Sequence, residues 1–253
     1  MKHIVEGVIY KVSQLNPTVR LLEIIAPKIA SEAVPGQFVN VKTSAAFLRK
    51  PLGIADICVP RGSITLLYRV LGEGTKALTK LQKGDKLNLV GPLGKGFATD
   101  AKRPLIIGGG LGLAPLLFLA KFGFGNGRAD LIIGGKNAQE VEFWQDLYKG
   151  NVNNIFVTTD DGSIGAKGTV MAALEPLLSK NYDCIYCCGP VPMMKAVARA
   201  ALSLGLQCQV SLERYMACGL GACLSCSCAN KDGKRLKVCQ DGPVFWAHEV
   251  VEW

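Results

Sequence analysis

The feature that most constrains this chain is a change of rhythm near Arg103. Beyond it, short uninterrupted apolar runs alternate with longer amphipathic ones: PLIIGG, LAPLLFLAKFG, ADLIIGG, AQEVEFWQDLYKG, NIFVTTDDG, TVMAALEPLLSK, CIYCCGP and VPMMKAVARAALSLG. Strands that are apolar at every position must be buried on both faces. The alternation therefore predicts a parallel sheet with helices on each side. Before Arg103, the segments HIVEGVIYKV, VRLLEIIAP, GQFVNVKT, ITLLYRVL and KLNLVGPLG read as β-strands. Asn16-Pro17, Pro35-Gly36, Arg61-Gly62 and Lys83-Gly84-Asp85 separate them, and Thr75 to Gln82 is the one helical stretch. That pattern predicts a small antiparallel barrel or sandwich. From Cys208 onward the chain is cysteine-rich and loses helical periodicity. The expected organisation is a β-domain over residues 1–100, an α/β domain over 101–207 and a cysteine-rich segment over 208–253.

Length and composition agree with two cores. The chain has 253 residues, of which 49% are hydrophobic and 19% charged, far too apolar for a disordered chain. No collagen-like or heptad repeat runs through it. The longest uncharged stretch, Pro104 to Ala120, is broken by glycines and two prolines, so it reads as strand, turn and helix, not as a membrane span. The opening MKHIVEG reaches Glu6 before any apolar run, which predicts a cytoplasmic protein without a secretory signal. There its ten cysteines would be thiols or metal ligands. The net charge of +9 is uneven: residues 1–100 hold 14 basic and 7 acidic side chains, residues 101–207 hold 10 and 8, and residues 208–253 hold 5 and 5. No block of more than two consecutive Lys or Arg occurs, which argues against a nucleic-acid tail. The basic first third suggests either a site for an anion or a solvated surface.

Cys218, Cys223, Cys226 and Cys239 have the spacing C-x4-C-x2-C-x12-C, the arrangement of plant-type [2Fe–2S] centres. Gly219 and Gly221 supply a tight loop whose backbone N–H groups can turn toward sulfur. Four cysteines also make a structural zinc site, although such sites usually use two close-paired knuckles and here only the first half has close pairs. Cys228 falls on the other side of a strand-like continuation and reads as a bystander. Cys184 and Cys187 read as small buried hydrophobes.

Gly108-Gly109-Gly110-Leu111-Gly112 joins a strand to a helix, as a turn that lets a dinucleotide pyrophosphate approach the backbone or as plain strand–helix packing. No ribose-binding acid follows it at the usual spacing. Cys187-Cys188-Gly189-Pro190 ends another strand at the same expected sheet edge, where parallel sheets open their sites. In the first domain, Leu48-Arg49-Lys50-Pro51-Leu52-Gly53-Ile54 places two cations beside a rigid turn. Leu67-Tyr68-Arg69 leads toward Gly74 and Thr75 at a helix start, where free N–H groups favour phosphate. Lys76, Lys80 and Lys83 read as one solvated helical face.

Taken together, YRVLGEGT, GPLGKGF, GGGLGLAPLL, DDGSIGAKG, CCGPVPMMKAV and CQVSLERYMACGLGACLSCSC resemble the ferredoxin–NADP reductase superfamily. More closely, the chain is similar to the electron-transfer subunits of class 1B dihydroorotate dehydrogenases. The resemblance implies an FAD-binding antiparallel barrel, a parallel-sheet NAD-binding domain and a [2Fe–2S] segment. It implies FAD at Arg49, Lys50, Pro51, Leu52, Gly53, Leu67, Tyr68, Arg69, Gly74 and Thr75. It places NAD at Gly109, Gly110, Leu111, Gly112, Gly189 and Pro190, with Cys188 beside flavin and nicotinamide. The cluster ligands would be Cys218, Cys223, Cys226 and Cys239. The family's usual Arg and Ser are replaced here by Lys50 and Gly53, which removes a hydroxyl and exchanges a forked cation for a point charge unless Arg49 compensates. The implied partner is an FMN-containing dihydroorotate dehydrogenase catalytic subunit, two copies of each, with neither nucleic acid nor membrane involved. Related subunits of an NADH-dependent ferredoxin:NADP oxidoreductase or a sulfide dehydrogenase form the second reading. A zinc-stabilised nucleotide-binding adaptor is a third.

Overall fold

The computed structural model describes residues 2–124 and 128–250. Strands β1 (His3–Gln14) and β2 (Val19–Ile25) come first, then a short helix α1 (Pro27–Ala30), β3 (Phe38–Val41), β4 (Lys50–Cys58), β5 (Ser63–Arg69), α2 (Glu73–Leu78) and β6 (Lys86–Leu93). The six strands close into an antiparallel barrel in the order β1-β2-β5-β4-β3-β6, so the barrel alternative holds over the sandwich. Leu22, Ile24, Val39, Val41, Ile54, Ile64, Leu66 and Leu89 fill its interior with no exposed surface.

Three local expectations for this domain are corrected. The segment around Lys50 and Pro51 is not a turn but the start of β4, with Pro51 opposite Asn40 of β3. The barrel domain contains a second helix, α1, opened by Pro27 at a position that needs no backbone donor. Helix α2 runs from Glu73 and ends at Leu78, so Lys80 and Lys83 do not continue its face.

The second unit contains β7 (Pro104–Gly109), α3 (Leu113–Phe122), β8 (Asp130–Gly135), α4 (Ala138–Tyr148), β9 (Ile155–Thr159), β10 (Ala166–Lys167), α5 (Val170–Leu177), β11 (Cys184–Cys188), α6 (Val191–Ser203) and β12 (Gln207–Ser211). The chain then forms a hairpin of β13 (Ser227–Ala229) and β14 (Arg235–Lys237) before β15 (Val244–Trp246). The sheet order is β10-β9-β8-β7-β11-β12-β15. Its strands are parallel except β15, which returns antiparallel to β12 with Val210 opposite Phe245. Every residue of β7 and β11 is buried, as the uninterrupted apolar runs require.

The expected division between residues 207 and 208 falls inside β12. Cys208 and Val210 belong to the sheet core, and the cysteine loop is an excursion between β12 and the edge strand β15 that pairs with it. It packs against both larger units. Cys226, Cys228, Val238 and Cys239 share one core with Val197 and Ala201 of α6 and with Phe38 and Leu93 of the barrel. Helix α3 closes the other junction: Phe118 sits in the barrel core, and Lys121 pairs with Asp56 of β4. Among the described residues no helix is long and apolar enough to cross a membrane.

Candidate functional site

The carboxyl ends of β7, β8, β9 and β11 open into a cavity of about 390 Å³. Gly109, Gly110 and Pro190, three of the six residues expected at a nucleotide, line it. Leu111 instead lines the neighbouring cleft. Gly112 and Gly189 bring backbones together. A Cβ on Gly112 would lie 2.4 Å from the Cys188 carbonyl oxygen and 2.6 Å from the Gly189 Cα. Backbone cannot rotate away, so Gly112→Ala should lose about 1–3 kcal/mol, seen as a Tm lower by roughly 5 °C in thermal unfolding. An unchanged Tm would show that the β7–β11 turns can separate without cost.

Sequence reasoning missed the outer half of this cavity: Gly134 and Gly135 at the end of β8, Lys136 after it, Glu140 on α4, Asp160 after β9, and Gly168 and Thr169 before α5. Gly134 leaves no room for a Cβ beside Val170, nor Gly135 beside Val141, at 2.5 and 2.4 Å. Two carboxylates do line the cavity, Glu140 on α4 and Asp160, the latter delivered by β9 rather than by β8. Its neighbour Asp161 is occupied elsewhere, accepting hydrogen bonds from the Ser163 hydroxyl and N–H at 2.7 and 2.9 Å. Those two bonds, the hydroxyl first, hold the Asp161 carboxyl below its ordinary pKa.

A second cleft of about 270 Å³ lies between barrel and sheet. Pro51, Leu52, Gly53, Leu67, Tyr68, Arg69 and Thr75 line it from the barrel, and Leu111, Ala114, Pro115 and Cys188 from the α/β unit. Arg69 lines both cavities, its guanidinium against the Gly110 turn. The other expected flavin residues stand differently. Gly74 makes room for the Lys50 stem, whose Cε would be 2.6 Å from a Cβ there. Arg49 does not compensate for Lys50: its guanidinium donates to the Asn88 side chain at 2.5 Å and to the carbonyls of Asn40 and Asn88, tying β3 to β6. The Thr75 hydroxyl is spent locally, accepting from the Leu71 and Gly72 N–H groups and donating to the Gly72 carbonyl.

The cleft passes a physical test for a polar cofactor. The Tyr68 hydroxyl and the Arg69 Nε are buried with no hydrogen-bond partner among the described residues. Each such atom costs about 1–3 kcal/mol unless a ligand satisfies it. Burial pushes Tyr68 up to about 12, so it remains a donor at neutral pH. Cys188 is 1% exposed, and its thiol donates to the Ser211 carbonyl at 3.6 Å. Burial, then the nearby Glu213 carboxylate, raise its pKa strongly, so it faces the cleft as a neutral thiol. Burial likewise raises Cys184 and Cys187, as expected for residues of the sheet core.

The wall Ser211, Leu212, Glu213, Arg214 and Met216 runs directly into the cysteine loop. Gly219 and Gly221 take φ of +66° and +87°, and Leu224 takes +60°, the tight path that glycine makes possible. The Leu220 N–H donates to the Cys218 sulfur and the Cys239 N–H to the Cys226 sulfur, at 3.3 and 3.4 Å. Burial works against a Cys218 thiolate, but N–H groups of Leu220, Cys223 and Ala222 and the Cys223 thiol outweigh it and lower its pKa to about 6. Cys239 is pushed up to about 12, by burial first and then by the Cys226 sulfur. The four cysteines thus influence one another, Cys218 with Cys223, and Cys239 with Cys226 first and then with Cys218. Among the described residues no three Cys, His, Asp or Glu side chains form a single-ion site. A binuclear cluster held by four thiolates fits this donor set. Cys228 is fully buried in β13 within the shared core.

Comparisons with known proteins converge on this arrangement. Residues 213–251 match the iron-sulfur cluster binding domain of dihydroorotate dehydrogenase B. The chain is 40% identical to a dihydroorotate dehydrogenase B (NAD(+)) electron transfer subunit of Caldanaerobacter subterraneus subsp. tengcongensis, covering 86% of this chain and 87% of the relative. It is 33% identical to the subunit of the same name from Desulforamulus reducens, covering 99% of each. Among solved structures, an NADH-dependent reduced ferredoxin-NADP oxidoreductase studied for flavin-based electron bifurcation superposes with a TM-score of 0.85 at 30% identity, over 98% of this chain and 90% of that one. The ferredoxin reductase of carbazole 1,9a-dioxygenase shares the fold, with a TM-score of 0.68 at 21% identity over 81% of this chain and 67% of that one.

Proposed function

The chain belongs to the family of dihydroorotate dehydrogenase B electron transfer subunits, and from that premise we propose that it carries electrons from the FMN of a catalytic subunit, through a [2Fe–2S] cluster and FAD, to NAD+. The partner would oxidise dihydroorotate to orotate in pyrimidine biosynthesis. The observation that carries this reading is the wall made by Ser211, Leu212, Glu213, Arg214 and Met216. It lines the cleft assigned to flavin and reaches the first cysteine two residues later, so one short segment spans both redox sites. When bound, FAD supplies hydride exchange with nicotinamide on one side and single-electron exchange with the cluster on the other.

The residues divide the work. Tyr68 and Arg69 offer the unpartnered donors for the flavin, and Lys50 offers a cation at the Gly74 turn. The glycines at the carboxyl ends of β7 and β8 admit the dinucleotide backbone, and Asp160 and Glu140 face its outer end. Cys188 lines the flavin cleft as a neutral thiol. A Cβ on Gly53 would sit at an ordinary 3.6 Å from Pro115, so Gly53→Ser should fold normally and regain the hydroxyl usual in the superfamily. One added hydrogen bond of about 0.5–1.5 kcal/mol should tighten FAD roughly threefold to tenfold, read by flavin fluorescence titration. A weaker complex would mean that the cleft is shaped around the glycine.

The partner is expected on the cysteine-loop face. Cys223 is exposed, and Tyr215, Leu220 and Leu224 around it are 96%, 45% and 62% exposed, an apolar rim of the kind that marks a docking surface. A heterotetramer with two copies of each subunit is proposed by resemblance. The likeness over 98% of this chain to an NADH-dependent ferredoxin-NADP oxidoreductase supports the second reading, a subunit of that type of complex. Copurification from the native cell decides between them. The expected result is a flavin and iron–sulfur spectrum with about two irons per chain and a partner that oxidises dihydroorotate. A partner active only with ferredoxin and NADP would favour the second reading. Zinc without iron would overturn both.

A further inference from the structure

Resting on the reading of Cys218 as a cluster ligand, we propose that Asn40 of the barrel is a positioning residue for the iron–sulfur cluster. It would hold the turn after Cys218 so that the N–H groups there stay directed at sulfur. Strand β3 alternates as a barrel strand should. Val39 and Val41 point into the barrel core and have no exposed surface, so Phe38 and Asn40 lie on the outer face. An outer face ordinarily carries polar side chains into water. Here the cysteine segment covers it. Phe38 packs in one core with Cys226, Val238 and Cys239, and Asn40 is only 1% exposed.

A buried amide in an apolar seam is destabilising unless its polar atoms find partners. The Asn40 Nδ2 donates to the Cys218 carbonyl at 3.4 Å, a bond that joins the barrel to the cysteine loop. The next residue, Gly219, takes a φ of +66°, and a Cβ there would overlap the Asn40 amide nitrogen. The turn is therefore shaped around this one side chain. Just beyond it, the Leu220 N–H donates to the Cys218 sulfur at 3.3 Å, and the Ala222 and Cys223 N–H groups are directed at the same atom. Asn40 is itself anchored from behind. Pro51, opposite it in β4, has no N–H to offer, and the Arg49 guanidinium donates to the Asn40 and Asn88 carbonyls. The Asn40 Oδ1 has no hydrogen-bond partner among the described residues, a desolvation cost that leucine, of similar volume, would avoid. A side chain that costs stability while holding a ligand's turn fits positioning better than packing. N–H groups directed at a ligand sulfur favour the added negative charge of a reduced cluster. Freeing them should therefore lower its reduction potential.

Asn40→Leu tests this in the full chain with cluster and FAD bound, because leucine keeps the seam dry and removes only the amide. A redox titration is followed by the paramagnetic resonance signal of the reduced cluster. At a fixed potential the ratio of reduced to oxidised cluster should fall about tenfold, a midpoint lower by about 59 mV for a one-electron couple. Deuterium exchange over residues 219–223 should quicken, while NADH reduces FAD at the wild-type rate. Leu236→Ala controls for stability alone. It removes packing from β14 against the same core and should lower Tm without moving the midpoint. Where Asn40→Leu does not fold, the smaller Asn40→Ala supplies the exchange measurement. An unchanged midpoint in Asn40→Leu, unchanged exchange in Asn40→Ala, or an equal midpoint shift in Leu236→Ala would overturn the proposal and leave the electron-transfer reading intact. Wild-type protein with no iron–sulfur signal would instead remove the reading on which it rests.

Discussion

Cys223→Ser should bleach the iron–sulfur absorbance and reduce electron delivery to the catalytic subunit by at least about 10²-fold. Two features of the loop set that magnitude. The Cys223 thiol is among the groups that hold Cys218 down at about 6, so the substitution removes one ligand and weakens the thiolate character of its pair. The remaining pair contains Cys239, which burial raises to about 12, so it ionises only when metal replaces its proton. A cluster missing one strong donor has little else to hold it. Reduction of FAD by NADH should largely persist, because hydride passes directly between nicotinamide and flavin without using the cluster. Visible spectra, iron analysis and NADH-dependent reduction of a soluble dye check the three parts. Cys228→Ser is the control: Cys228 lies inside the shared core, so its substitution should cost stability before it costs iron. If it proves the more damaging to the iron–sulfur spectrum, the ligand set has been assigned wrongly.

What could be read from the sequence follows from how local each signal was. The apolar runs of β7, β8 and β11 announce a sheet buried on both faces, and the structure forms them with boundaries close to those expected. The cysteine spacing is equally local, since a loop of fixed length must close around one group. Strand β4 was hidden because Pro51 lacks a ladder donor, and Lys50 and Asp56 break its apolar pattern. It is a strand because β3 and β5 flank it and α3 packs across it, information that exists only in three dimensions. Arg49 beside Lys50 reads as an anion ligand, yet the barrel turns it toward Asn88. Asp160 was missed for a different reason. The acid is sought on the strand after the glycine turn, whereas here that strand ends in Gly134-Gly135 and the next one carries the carboxylate to the same edge.

Asp160→Ser should move nucleotide preference toward NADPH by about 10²-fold in the ratio of kcat/KM values. Asp160 lines the cavity at the carboxyl end of β9 with Gly135, Lys136 and Glu140, at the end away from Arg69 and the flavin cleft. A carboxylate there can accept both hydroxyls of an unmodified adenosine ribose, the role an acid plays in NAD-binding sheets. The same carboxylate meets the 2′-phosphate of NADPH as a like charge, a contact worth about 4 kcal/mol at 4 Å and an effective dielectric of 20. Removing it should relieve that repulsion for NADPH and forfeit hydrogen bonds to NADH, so the two effects add in the ratio. Lys136, exposed in the same cavity, is left to attract the phosphate. About 2.8 kcal/mol of the combined change corresponds to the predicted factor. Steady-state assays with each nucleotide measure it, and binding of 5′-AMP against 2′,5′-ADP isolates the ribose end without redox chemistry. A ratio that stays within threefold would place the adenosine elsewhere and pass selection to Glu140, the other carboxylate lining that cavity. A fall for both nucleotides alike would mean that Asp160 shapes the loop before Thr169 instead of reading the ribose.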